Sequence, residues 1–172
     1  DRFMLPIYPQ NDTAYQVYSP GRGGTFEFNF CKGYANGIWV KAGAGRYVIR
    51  HNTVVDSHYG ICWVTSNADS DTSWNVIVAA DEFIRIDRFH PTYTQDGNLF
   101  WLPKQWQAFA ERLDVVRGAN RGRRCMLADP RFVDPENGDY RLLPDSPALF
   151  LKDEQGLPAG AFGVADPADA AK

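Results

Sequence analysis

Apolar and polar positions along this chain recur with one dominant period. Asn29, Asn52, Asn75 and Asn98 stand 23 residues apart. Two residues beyond each lies an apolar side chain, Cys31, Val54, Ile77 and Phe100, and nine residues beyond the first three lie Ile38, Ile61 and Ile84. Inside each period, hydrophobic and polar residues alternate over short runs, as in Arg46-Tyr47-Val48-Ile49-Arg50 and Gly60-Ile61-Cys62-Trp63-Val64. A period of two marks a strand, and these runs are too short to build an ordinary open sheet. A repeat of this length holding two or three short strands is one coil of a solenoid, paired in parallel with the coils above and below it. The pattern therefore predicts a parallel β-helix of about four coils with a ladder of asparagines.

Asparagine suits such a column because its amide both donates and accepts, so each can bond to the Asn one coil away; it also tolerates left-handed backbone in a tight bend. On this reading the asparagines hold the fold and take no part in chemistry. Residues 1–24 read as a divergent earlier coil, with Tyr15-Gln16-Val17 alternating, a Ser/Pro/Gly-rich turn after it, and Pro6 where a ladder Asn would fall. The segment 103–113 breaks the β pattern. Trp106, Phe109, Ala110 and Leu113 share one face of a short helix opened by Pro103.

Composition adds limits. The 172 residues are 44% hydrophobic and 23% charged, which is enough for one domain with a sizeable core. The net charge of −3, with basic residues scattered apart from Arg121, Arg123 and Arg124, leaves no nucleic-acid footprint. No apolar run approaches the length of a membrane span of about 18 residues. The three cysteines, Cys31, Cys62 and Cys125, are an odd number without CxxC spacing and indicate neither a disulfide framework nor zinc. The chain opens on Asp1 without a charged-then-apolar leader, so a signal peptide is expected to have been removed or to lie upstream.

From Ala128 the chain runs Ala-Asp-Pro-Arg-Phe-Val-Asp-Pro-Glu-Asn-Gly-Asp-Tyr-Arg-Leu-Leu-Pro-Asp-Ser-Pro-Ala and then reaches Gly160-Ala161-Phe162-Gly163. Together with Asp96-Gly97-Asn98-Leu99-Phe100-Trp101, this resembles the closing coils of the pectate-lyase-like right-handed parallel β-helix superfamily. The resemblance covers residues 25–163. It implies an all-β, right-handed parallel β-helix with a proline-rich C-terminal cap, one domain over 1–163 and a tail over 164–172. Within the domain, ladder coils fill 25–101, a helical excursion 102–127 and the cap 128–163. Pro130, Pro135, Pro144 and Pro147 stop strand addition, and a loop packed by Phe132, Tyr140 and Leu142 is expected to cover the last open coil. With no cap visible at the other end, an upstream β-helix fragment of the same parent protein is an expected partner.

The resemblance further implies a secreted or periplasmic, carbohydrate-active protein, of which this chain supplies the C-terminal part. The leading expectation is a polysaccharide lyase-like protein acting on acidic glycans. A non-catalytic glycan- or protein-binding solenoid and a glycoside hydrolase on the same scaffold are the alternatives. In the superfamily the strand after the third turn lines the polysaccharide groove. With Ile38, Ile61 and Ile84 inward, alternation turns Val40, Trp63 and Ile86 inward and leaves Trp39, Lys41, Cys62, Val64, Arg85 and Asp87 outward. Trp39 then stacks on a sugar, and Arg85 pairs with a uronate carboxylate.

A lyase needs a base beside that carboxylate, with Arg or a calcium ion to neutralise it, and Lys41, Arg85, His58 and His90 are the candidates. A glycosidase needs two carboxylates, for which Asp87 lies on the face and Asp56 and Asp69 in adjoining loops. The superfamily's calcium-binding aspartate clusters and its Arg-x-Pro-x-x-Arg pattern are absent from this sequence. Asp129-Pro130 and Asp134-Pro135 are read as turn and cap chemistry rather than metal ligands.

Overall fold

A computed structural model describes residues 13–17, 23–40, 45–63, 67–86, 89–102 and 122–166. Over these the chain is a parallel β-solenoid of about three turns, with almost no helix. The short helix expected over 103–113 lies outside the described residues, as does Pro6.

Each coil has three faces. On the first, β2 (Gly24–Glu27), β5 (Tyr47–Arg50), β7 (Asp71–Ser73) and β9 (Thr94–Asp96) form a four-stranded parallel sheet. The second face carries β3 (Phe30–Lys32), the start of β6 (Thr53–Trp63), the start of β8 (Val76–Ile86), β10 (Leu99–Trp101) and β11 (Met126–Leu127). The third carries β1 (Thr13–Val17), β4 (Asn36–Val40) and the ends of β6 and β8. β6 and β8 run through the bend between the last two faces, which join into one seven-stranded sheet. Pairing follows the sequence period: Val54 lies opposite Cys31 and Ile77, and Ile61 opposite Ile38 and Ile84.

The asparagine column stands at the bend between the first and second faces. The backbone N–H and the side-chain Nδ2 of Asn52 both donate to Oδ1 of Asn75, at 3.0 and 2.9 Å, and Asn75 repeats this toward Asn98 at 2.9 and 3.0 Å. Asn75 Nδ2 also donates to the carbonyls of Ile49 and Ser73. Buried polar atoms are thereby satisfied along the inner corner, where an unmatched amide would be costly. The column ends on a cysteine, with Asn98 Nδ2 3.8 Å from Cys125 Sγ.

The left-handed conformation falls one residue earlier than expected. Phe28, His51, Trp74 and Gly97 have φ of 57°, 52°, 58° and 62°, while the asparagines that follow do not. The bend is made by the preceding residue, and the Asn takes the backbone that aims its amide inward. Arg46 and Asp69 (φ 68° and 51°) and Asp56 (φ 53°) recur the same way at the other two bends.

Two apolar clusters result. The solenoid interior holds Cys31, Ile38, Val40, Ile49, Val54, Ile61, Trp63, Ile77 and Phe100 among others, with Ile84 and Ile86 partly buried against it. A second cluster lies on the outside of the second face, where Trp74, Val76 and Leu99 meet Leu142, Ala148, Leu151 and Ala159 of the C-terminal segment. That segment forms an antiparallel hairpin of β12 (Phe132–Asp134) and β13 (Asp139–Leu142), then a single 3-10 turn, Pro147–Phe150, capped by the Ser146 hydroxyl.

The chain then returns along the flank. Gly160 N–H donates to the Trp74 carbonyl at 2.8 Å, Ala161 N–H donates to Thr53 Oγ1 at 2.9 Å, and Phe162 packs edge-on against Phe30. The loop expected over the last coil thus lies lengthwise across successive coils. Its apolar residues meet Phe30, Val76 and Leu99 of the outward row, and the contact removes their apolar surface from water. Asp129 and Asp134 are turn residues, accepting from the N–H groups of Arg131 and Asn137.

Candidate functional site

The third face presents one outward row in register, Trp39 opposite Cys62 and Cys62 opposite Arg85. Adjacent strands lie about 4.8 Å apart, so the backbones of Trp39 and Arg85 are separated by roughly 10 Å. The exposed Arg85 guanidinium lies 4.8 Å from the centroid of the Tyr59 ring, and the His58 ring packs edge-on against Tyr59 at 4.2 Å. A cation over an aromatic face is held by the ring quadrupole while its N–H donors stay available at the rim. Alternation accounts for the inward Val40 and Trp63, both fully buried.

Cys62 departs from expectation. It occupies an outward position, yet only 3% of it is exposed, because a short thiol sits between an indole and a guanidinium on the neighbouring strands. Lys41, Val64 and Asp87, the remaining members of the expected row, lie outside the described residues.

The other candidates are dispersed. His90 belongs to the turn leading into the first face, where its N–H donates to Asn67 Oδ1 at 2.8 Å and its Nδ1 lies 2.9 Å from Thr92 Oγ1. Asp56 and Asp69 are exposed residues at left-handed bends, the position where a short polar side chain costs least. The structure therefore groups Arg85 and His58 around Tyr59, sets Trp39 in the same outward row through Cys62, and places His90, Asp56 and Asp69 at turns.

A charged row that the sequence reading overlooked runs along the outside of the first face. Glu27 pairs with Arg50 at 2.8 Å, and Asp96 with Arg124 at 2.6 Å, the Arg124 guanidinium also covering Trp74 at 4.4 Å. Between these pairs Asp71 Oδ1 accepts from Ser73 Oγ (2.8 Å) and Thr94 Oγ1 (2.7 Å). Burial pushes the Asp71 carboxyl above its usual value, against the lowering effect of these two hydroxyls, and the nearby Asp96 charge adds to the rise. The repeat contained the signal: Asp71 stands four residues before Asn75 and Asp96 two before Asn98, both outward positions of one strand column.

A second overlooked residue is His51, 1% exposed beneath the C-terminal segment. Its Nδ1 lies 2.9 Å from the Pro158 carbonyl oxygen and its Nε2 3.1 Å from Asp153 Oδ2, so neither ring nitrogen is left to act as a base. The Cys31 thiol is equally unsuited to chemistry, since burial pushes it up to about 12. Among the described residues no three His, Cys, Asp or Glu side chains converge to hold a metal ion. Among the described residues the donors thus assemble no seat for the calcium ion that the resemblance implies. No described helix is long and apolar enough to cross a membrane.

No family model, curated protein or solved structure matches this chain.

Proposed function

We propose that this chain forms the C-terminal coils of a secreted or periplasmic, carbohydrate-active β-helix protein, akin to the pectate-lyase-like superfamily, and that its third face engages an acidic polysaccharide. The observation that carries this reading is the Trp39–Cys62–Arg85 register with Arg85 held over Tyr59. A flat parallel face repeats at strand spacing, so aromatic surface and a guanidinium side by side suit a ribbon of sugars that carries carboxylates. The grouping favours engagement of the polymer. The bond-breaking residues of a lyase are assigned to no described side chain.

The test is titration of the purified protein with an oligouronide and with its carboxyl-reduced, neutral counterpart. Binding of the charged oligomer is expected to exceed that of the neutral one by about tenfold, the scale of one well-placed ion pair. Arg85→Ala is expected to remove that preference, and Trp39→Ala to weaken both ligands. Equal binding of the two oligomers, or binding indifferent to both substitutions, overturns the reading. Incubation with the polymer separates the chemistries: unsaturated uronide ends absorb in the ultraviolet after lyase action, whereas new reducing ends without that absorbance signal hydrolysis.

One observation favours hydrolysis as a second reading. On the first face, Asp71 is pushed toward the protonated form beside Asp96, whose charge is matched by Arg124. A carboxyl raised by burial near an ion-paired one is an arrangement that suits an acid and its partner. Release of reducing ends that Asp71→Asn abolishes would move the reaction to this face.

A further inference from the structure

The C-terminal segment is bound to the flank by an apolar cluster separate from the solenoid interior, and the buried His51 ring fastens it at two points. His51 sits in the left-handed column between Phe28, which stacks on its ring at 5.2 Å and 11°, and Trp74. Both its ring nitrogens face acceptors from the returning chain. A carbonyl oxygen only accepts, so Nδ1 must carry a hydrogen toward Pro158. Nε2 and the Asp153 carboxylate then require a proton between them, because two facing lone pairs repel. Asp153 Oδ1 accepts from the N–H groups of Gln155 and Leu157 at 2.9 and 2.8 Å, which favours the ionised carboxylate and leaves the proton on the ring.

From this geometry we infer that residues 151–161 are a releasable strap, latched by a His51–Asp153 ion pair, which lifts from the flank as a unit when the pair loses its charge. Three features make the strap separable. Its apolar residues Leu151 and Ala159 belong to the outer cluster, so lifting them leaves the interior of the coils intact. Among the described residues its backbone is tied to the coils by few bonds, from Gly160 N–H to the Trp74 carbonyl, from Ala161 N–H to Thr53 Oγ1 and from His51 Nδ1 to the Pro158 carbonyl. Its close seat depends on Gly160, at φ +93°, where a Cβ would come within 2.9 Å of Val76 Cγ2 and 3.0 Å of Thr53 Oγ1. Segments with a small apolar contact and their own cooperative unit open below the global free energy.

The charges around the latch are few. From the strap, Asp153 alone among the described titratable groups contacts the ring; the column neighbours Phe28 and Trp74 carry no charge, and Arg50 is turned outward onto Glu27. Burial alone would raise the Asp153 carboxyl, but the N–H groups of Leu157 and Gln155 and the His51 ring outweigh it and hold it below the usual carboxylate value. A carboxyl depressed on folding contributes stability that is complete above its unfolded value of about 3.9 and is lost as pH falls through the folded value. The latch therefore opens in acid.

Removing one partner of a buried pair also opens it, because the remaining charge is left unmatched. This inference stands apart from the glycan reading and survives its failure.

The experiment is hydrogen exchange at single residues on the intact protein, from neutral pH into acid, following the amides of Gly160 and Ala161, which bond to the coils, against the ladder amides of Thr53 and Val76. At neutral pH, Asp153→Ala is expected to cut strap protection by about 100-fold, the scale of an uncompensated buried charge, with the ladder amides unchanged. Asp153→Asn is the control for charge. Its amide can donate to a neutral Nε2 and still accept from Gln155 and Leu157, so it keeps the strap protected at neutral pH; protonating Nε2 then sets two donors face to face, so the variant strap loses protection at a higher pH than the wild type, in the ordinary imidazole range. Loss of strap and ladder protection together in Asp153→Ala overturns the inference, as does a wild-type strap whose protection relative to the ladder does not change in acid.

Discussion

At the scale of single residues, the inner corner selects asparagine because it needs an acceptor and a donor from one short side chain. Asn75 Oδ1 takes two bonds from Asn52 while its Nδ2 serves Asn98, Ile49 and Ser73. Aspartate lacks the donors, serine lacks the reach, and alanine leaves the partners orphaned in the interior. Asp71 shows the opposite case, a polar residue whose ionised form is disfavoured where it sits. Its folded value is raised, so its contribution to stability is complete below the unfolded aspartate value of about 3.9 and is lost as pH rises through the folded value. At neutral pH the ionised carboxylate is thus a cost. Asp71→Asn keeps an oxygen for Ser73 and Thr94 and removes the charge. The urea midpoint is expected to rise at pH 7, with the gain shrinking as pH falls toward 3.9. A midpoint that drops at pH 7 would mean that the charge is needed by its neighbours.

At the scale of elements, the bends carry as much information as the strands. Gly97 takes the left-handed position that Phe28, His51 and Trp74 fill with large rings, and there a Cβ would lie 2.0 Å from Cε3 of Trp74. Gly97→Ala is expected to cost about 2 kcal/mol or more through that overlap, since rigid aromatic atoms cannot give way cheaply. Gly138, at φ +87° with nothing within 4 Å of a built Cβ, isolates the backbone part. Gly138→Ala is expected to cost only about 1 kcal/mol, and chemical denaturation of the two variants separates overlap from backbone strain.

The stacked coils were legible because asparagines 23 residues apart and the apolar positions keyed to them repeat, and repetition averages out local ambiguity. The outward row Trp39–Cys62–Arg85 followed from the same register, although the burial of Cys62 depended on the size of its neighbours, which alternation does not encode. The lengthwise return of the C-terminal segment was hidden, because it pairs with no repeat unit. His51 was hidden for the same reason: its partner Asp153 is 102 residues away and outside the period. The register places the first-face charges at outward positions, but any polar residue is accommodated on the solvent side of a strand, so the pattern alone does not mark them.

At the scale of the whole molecule, a solenoid is close to one-dimensional: each coil meets only its neighbours, so the effect of a substitution depends on how many interfaces it touches. The ladder makes this measurable with one chemistry at successive heights. Asn52 receives two bonds from Asn29 at its Oδ1 and sends two to Asn75, as well as reaching the carbonyls of Phe26 and Arg50. Among the described residues, Asn29 gives its N–H and Nδ2 to Asn52 and reaches the exposed carbonyl of Glu27 besides. Each buried group left unmatched costs about 1–3 kcal/mol, whereas a group that water can reach is rescued. Asn52→Ala strands partners in two interfaces and is expected to cost about 3 kcal/mol or more. Asn29→Ala disturbs one interface with partial access to water and is expected to cost about half as much or less. Equilibrium denaturation of the two variants decides the matter. Equal costs would show that the coils unfold as one indivisible body in which position along the axis has no meaning, and a larger cost at Asn29 would place the weak end of the stack at its other terminus.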